Sequence, residues 1–292
     1  MTAKLIVLLI ASVATSALAG NLYKYLADRS GSLASSFFMP SVWYILLSAV
    51  FAVMALPGLG SGGGFLVIPA VAAGICIASS AVSLIESMKG YMVSIPIIII
   101  NLNFVIPIIL SLLFLNEKAS AISLIGTAAA AAVIIIINAS EKGGGSRRGI
   151  ILAVCACLCN GLVNFFIKLN AAGGGDQNIF FAVMYLSAAL FASAVGLIVR
   201  AAGKSGDSAG IKKEMKGALK YMLALGACNG ICFLTMSMMS GMMNASVQFT
   251  VVTSLSLIFS VVYGCLIQKD RFTVKTAVSL LLCVAAVAAQ MI

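Results

Sequence analysis

The chain has 292 residues, 62% of them hydrophobic and only 9% charged, with a net charge of +10 and no histidine. A soluble domain carries about a quarter of its residues as Asp, Glu, Lys or Arg; at a mean hydropathy of +1.15 there is no polar coat here, so lipid must cover the surface. Lack of imidazole excludes histidine-based catalytic triads, the usual imidazole metal sites and histidine proton relays. The basic excess gathers at the ends of apolar runs, where it sets topology rather than binding nucleic acid.

A helix needs about 20 apolar residues to cross a bilayer core of roughly 30 Å. Runs of that length predict ten spans, near 3–27, 35–57, 64–87, 91–115, 119–138, 149–171, 178–200, 217–240, 244–267 and 273–291. Met1 to Gly20, with Ala17-Leu18-Ala19, has the outline of a cleaved signal peptide. Lys24 and Arg29 follow at once and the pattern returns in the second half, so a retained first span is expected. Trp43 and Tyr44 near the start of the second span suit an interfacial belt, unless the whole second helix lies deeper. The glycines from Gly58 to Gly64 lack the Lys-Ser/Thr of a phosphate loop and read as a turn between spans. Cys155, Cys157 and Cys159 alternate along one predicted helix, so Cys157 points away from the other two and no metal site is expected. The stretch from Arg200 to Lys216, rich in lysine, reads as the longest loop.

Two hairpins resemble each other. Gly90–Asn138 turns at Asn116-Glu117-Lys118, and Gln248–Ala289 turns at Lys269-Asp270-Arg271. Lys24 closes the first span as Lys168 closes the sixth. The expected organisation is a five-helix repeat over 1–139, a flexible linker over 140–148 and a second five-helix repeat over 149–292. Five is odd, so the second copy enters the membrane from the opposite side. The fold class is therefore an all-α integral membrane protein of ten helices in a 5+5 inverted repeat, an architecture of secondary transporters. By the positive-inside rule, the side holding most lysines and arginines is cytoplasmic and both termini lie outside.

The hairpin VIPIILSLLFLNEKASAISLIG, with Pro107, Glu117 and Gly126, resembles the EamA-like branch of the drug/metabolite transporter superfamily. The second half keeps the acid at Asp270 but has Ser260 and Ser279 where proline and glycine would fall. The resemblance implies ten helices around a central cavity, both termini in the cytoplasm (against the charge count) and export as the usual direction. The first span has no acid between Ala11 and Leu22, which departs from the membrane glutamate of the small multidrug members.

Polar side chains inside spans mark a cavity or a helix contact. Asn160, Asn164 and Lys168 recur every four residues on one face of the sixth span, and Ser12, Ser16, Gly20 and Lys24 make a related stripe on the first. Either these stripes face a cavity, with Lys168 drawing in an anionic group, or the asparagines bridge helices and the lysines reach the interface. Asn101 and Asn103 in the fourth span stand about 200° apart on a regular helix and so do not share a face. Asn103 lies on the side of Pro96 and Pro107, which free carbonyls near positions 92 and 103 for a ligand or for Asn103 itself. Asn229 and Gln248, the latter with Thr250, Thr253 and Ser254, add hydrogen-bonding groups. Glu86 near the end of the third span could exchange protons if buried, or simply pair with Lys89. Met236, Met238, Met239, Met242 and Met243 offer adaptable apolar surface for a permissive pocket, or are ordinary lipid-facing filler.

These residues favour a secondary transporter of a small neutral, zwitterionic or amphipathic metabolite, such as an amino acid or derivative, working by alternating access. No catalytic residues, cofactor, metal or nucleic acid are expected, and the chain is expected to work as a monomer in the bilayer of a cell membrane, bacterial inner or plasma. Proton-coupled efflux of hydrophobic cations through Glu86 is the alternative, and a non-transporting structural membrane protein is a third reading.

Overall fold

The computed structural model describes residues 3–58, 66–89, 94–118, 147–203 and 208–263, together with helical positions 121, 124, 125, 127, 128, 131, 132, 281 and 284. The helices are α1 (Ala3–Arg29), α2 (Leu33–Ala55), α3 (Val67–Met88), α4 (Ser94–Asn101), α5 (Val105–Phe114), α6 (Arg147–Ala172), α7 (Gln177–Ala201), α8 (Ser208–Ser240) and α9 (Ala245–Tyr263). No strand occurs among the described residues. Six of the helices, α1, α2, α3, α6, α7 and α8, are long and apolar enough to cross a membrane. This is a multi-pass membrane protein. Most of the fifth and tenth predicted spans, the linker from 140 to 146, the acidic turn at Asp270 and the glycines after Gly58 lie outside the described residues.

Tight turns fix the hairpins at both ends of the bundle. At Ser32 the N-cap hydroxyl accepts from the Ser35 N–H at 3.1 Å, and Ser35 Oγ accepts in return from the Ser32 N–H at 3.2 Å, a reciprocal cap that starts α2. Asp176 caps α7 by accepting from the Asn178 and Ile179 N–H groups. Each cap satisfies donors that have no intrahelical partner.

The packing is pairwise. Helix α2 runs antiparallel along α7: Ser48 donates to the Ala182 carbonyl, Tyr44 stacks on Tyr185 and Phe51 meets Phe181. Helix α3 lies on α6, where Ser80 donates to the Ala156 carbonyl, and α1 lies on α8, where Tyr25 stacks on Tyr221. Helices α4 and α5 flank α6, and α9 flanks α1. Exchanging α1 with α6, α2 with α7, α3 with α8 and α4–α5 with α9 returns this same set of neighbours. Helix α5 runs parallel to α6, with Asn103 against Asn160 and Phe114 against Phe165. The chain therefore leaves α5 at one end of the bundle and begins α6 at the other.

The structure changes three expectations. Trp43 and Tyr44 are not an interfacial belt; they are 1% and 0% exposed, because α2 sits centrally between α7, α8 and α3, and Tyr44 donates to the Ile77 carbonyl at 3.1 Å. The lysine-rich stretch before residue 217 is not a loop. Helix α8 begins at Ser208, held by an apolar stripe of Ile211, Met215, Ala218 and Met222 that packs inward while Lys212, Lys213, Lys216 and Lys220 stay exposed. Charge hides this stripe from a hydropathy window, but its 3.6-residue period is a helix signal. Finally, the fourth predicted span is interrupted: a 3₁₀ turn, Leu102–Phe104, divides α4 from α5.

Candidate functional site

That interruption follows from Pro107. Proline has no N–H to give the carbonyl four residues back, that of Asn103, and the backbone tightens there so that the Val105 N–H serves the carbonyls of Leu102 and Asn103. The tighter turn, at about three residues per turn, brings Asn101 and Asn103 from roughly 160° to roughly 120° apart. Both line one cavity, contrary to the regular-helix expectation. The Asn103 carbonyl lies beside α6, where a Cβ added to Gly161 would come within 2.9 Å of it. Position 92 is outside the described residues.

The cavity, about 140 Å³ in volume, lies between α1, α3, the α4–α5 junction, α6, α8 and α9. Its polar lining is Asn101, Asn103, Asn160, Asn164 and Asn229 with Ser16, Tyr23, Ser80, Cys232 and Thr253, and its apolar lining includes Ile77, Leu84, Phe233, Met236, Phe249 and Val252. Among the described residues no charged side chain lines it. Asn160 Oδ1 accepts from Asn103 Nδ2 at 2.9 Å and from Asn164 Nδ2 at 3.5 Å. Among the described residues no protein partner occupies Asn103 Oδ1, Asn160 Nδ2 or Asn164 Oδ1, so donors and acceptors both remain for a solute. Across the cavity Asn229 Nδ2 donates to Tyr23 Oη at 3.4 Å. Tyr23 and Ser80 escaped the sequence reading, although Tyr23 continues the Ser16, Gly20 stripe at helical spacing.

Other candidates fall elsewhere. Lys168, 1% exposed, lies one turn beyond Asn164 and does not line the cavity. Its Nζ is 2.9 Å from Glu117 Oε1 and donates to the Met243 carbonyl at 2.9 Å and the Ser240 carbonyl at 3.4 Å. Glu117 Oε2 accepts from the Ala245 N–H at 2.7 Å. This pair ties the end of α5 to α6 and to the α8–α9 turn. Lys168 faces no ligand, because Glu117 and two carbonyls take its donors. Gln248, 0% exposed, is likewise spent within the protein: it donates to the Met236 carbonyl at 2.6 Å and accepts from Ser240 Oγ at 3.1 Å. Lys24 pairs with Asp28 on its own helix at 2.9 Å. Glu86 lies near the opposite end of the bundle from Lys168. It pairs with Lys89 Nζ and accepts from Ser36 Oγ, each at 2.5 Å.

The model of the EamA-like transporter family matches residues 147–291, α6 onward. The chain belongs to the EamA-like transporter family. This places it in the drug/metabolite transporter superfamily and makes it a membrane transporter of that type. A protein of solved crystal structure superimposes with a TM-score of 0.69 over 99% of this chain and 96% of its own, at 13% identity; that likeness concerns the fold alone. No curated protein matches. The family match lies in the half that supplies Asn160, Asn164, Asn229 and Thr253, while Asn101, Asn103, Tyr23 and Ser80 come from the other half.

Proposed function

We propose that this EamA-like protein is a secondary transporter of a small neutral or zwitterionic metabolite, an amino acid or close derivative, bound among Asn101, Asn103, Asn160, Asn164 and Asn229. The observation that carries this is the cavity itself: five amides, a phenol and hydroxyls and, among the described residues, no charged side chain in the lining. Amides hydrogen-bond to an ammonium or a carboxylate without presenting a net charge. A multivalent ion would find too little compensation there.

The transport cycle we favour is alternating access in a ten-span, five-plus-five inverted repeat. The exchangeable neighbours of α1–α5 and α6–α9 support it. So does the parallel course of α5 and α6, which calls for a crossing between residues 118 and 147, where described positions from 121 to 132 are helical. Such a repeat completes a cavity within one chain, consistent with a monomer in a cell membrane, with export the direction usual in the family. Asn164 lines the cavity one turn before Lys168. The Lys168–Glu117 pair would then close the cavity toward its own end and open in the alternate state. Glu86 is engaged by Lys89 and Ser36 away from the lining, so the cation-efflux reading has no observation in its favour.

Purified protein is screened by thermal shift against amino acids, nucleosides, polyamines and quaternary cations; a ligand specific for the folded state raises Tm by mass action. An amino-acid hit lost in Asn103→Ala and Asn164→Ala is the expected result. A quaternary-cation hit that persists in both variants and vanishes in Glu86→Gln would sink the metabolite reading.

A further inference from the structure

Helices α3 and α6 come from different halves of the chain, and two hydrogen bonds fix how they meet. At one end the Leu66 N–H donates to Asn170 Oδ1 at 3.3 Å; further along, Ser80 Oγ donates to the Ala156 carbonyl at 3.0 Å. Leu66 to Ser80 and Ala156 to Asn170 are equal steps of fourteen residues, so the two helices run antiparallel in one register. Cys76 stands one turn before Ser80, and this register sets it opposite positions 159 and 160. The thiols of Cys76 and Cys159 meet there and hydrogen-bond to each other. Neither takes part in a disulfide.

This seam has two edges. Ile77, Ser80 and Asn160 line the cavity along one of them. At about 100° per residue, Cys76 and Cys159 project from the other, toward exposed Ile75 on α3 and exposed Leu158 and Cys155 on α6. Both thiols are half-buried, between the cavity wall and the outer surface. Two thiols from two helices suit a particular chemistry. A structural zinc takes four ligands, and among the described residues no group of three Cys, Asp or Glu side chains comes together. A soft centre that is satisfied by two thiolates needs no more. Where that centre has two valences to fill, the product is neutral, and apolar surroundings accept it where an ion would be costly.

We propose that Cys76 and Cys159 form a dithiol site for a soft, thiophilic centre with two open valences, such as an aryl arsenic(III) or mercury(II), whose bridge ties the two halves of the chain together beside the cavity. With phenylarsine oxide, two arsenic–sulfur bonds form and the arsenic–oxygen bond breaks. Both thiol protons leave with that oxygen as water, and arsenic stays trivalent. The bridge holds α3 and α6 in the register seen here.

The full chain in detergent is treated with phenylarsine oxide and then with N-ethylmaleimide, and the alkylated cysteines are located by mass spectrometry. Without the arsenical, both Cys76 and Cys159 are expected to take up maleimide. After it, both should lose that labelling together while Cys155 keeps it, and excess 2,3-dimercaptopropanol should restore them. Cys76→Ser should return Cys159 to maleimide, and Cys159→Ser should do the same for Cys76. The arsenical should raise Tm in the unaltered protein and in Cys155→Ser but in neither single variant, because a link between helices distant in sequence restricts the unfolded chain. Labelling of the unaltered protein tests the site even if a variant fails to fold. Labelling of either thiol that persists after treatment overturns the proposal, as do thiols that resist maleimide beforehand, since the site would then be closed to reagents. Protection of Cys159 that survives Cys76→Ser overturns it too, by showing a bridge to Cys155 within α6.

Discussion

Lys168 and Glu117 show what a single buried charge demands. An ammonium that is 1% exposed has lost its water, and only the carboxylate and the two carbonyls replace it. Removing one member of such a pair strands the other, at a typical cost of about 3–5 kcal/mol. The Lys24–Asp28 pair has the same chemistry on a surface, with side chains 37% and 51% exposed, and pairs of that kind contribute about 0–1 kcal/mol. Thermal unfolding in detergent should therefore show Lys168→Met well below the unaltered protein and Lys24→Met close to it. Lys168→Met combined with Glu117→Met should recover part of the loss, because no stranded carboxylate remains. Equal Tm values for the two single variants would show that Lys168 is solvated.

At the scale of helices, glycine decides how closely the pairs approach. A Cβ on Gly74 of α3 would overlap Ser187 Oγ and the Met184 carbonyl of α7. Backbone cannot yield as a long side chain can, so the two helices would have to separate. Gly20 lines the cavity on α1, yet a Cβ there meets nothing within 4 Å. Gly74→Ala is expected to lower the fraction of protein that elutes as a monodisperse peak from size-exclusion chromatography. Gly20→Ala should elute unchanged, and any effect it has should appear in ligand binding. The reverse ranking would mean that α3 and α7 are not packed backbone to backbone. Helix α8 adds a second lesson: its first three turns are held by Ile211, Met215 and Ala218 while lysines coat the outside, so it extends past any apolar window drawn on the sequence.

Over the whole molecule, charge divides the two ends of the bundle. Lys24, Arg29, Lys89, Arg147, Arg148, Arg200, Lys212, Lys213, Lys216 and Lys220 gather at the Glu86 end, and Lys4, Lys118 and Lys168 at the other. The positive-inside rule assigns the crowded end to the cytoplasm. A cysteine placed at Asn116 in a cysteine-free background should then react with a membrane-impermeant maleimide on intact cells. A cysteine at Lys213 should react only after the cells are opened. Labelling in the opposite sense would reverse the orientation and put the Lys168–Glu117 closure on the cytoplasmic side.

Apolar length and charge placement alone determined that this chain crosses a membrane many times. They located the six described helices long enough to span, apart from the charged start of α8, because the cost of burying backbone in lipid forces long apolar helices. The amides Asn101, Asn103, Asn160, Asn164 and Asn229 stood out for the same reason, being costly where they are. What they share was not legible. Asn101 joins Asn103 only because Pro107 tightens the helix into a 3₁₀ turn, and Tyr23 and Ser80 complete the lining from helices distant in sequence. Lys168 and Gln248 carry the same sequence signal as the cavity amides, a polar group within a span. Tertiary structure set them apart, since whether a buried polar group faces a solute or a protein partner depends on what the other helices bring within hydrogen-bonding distance.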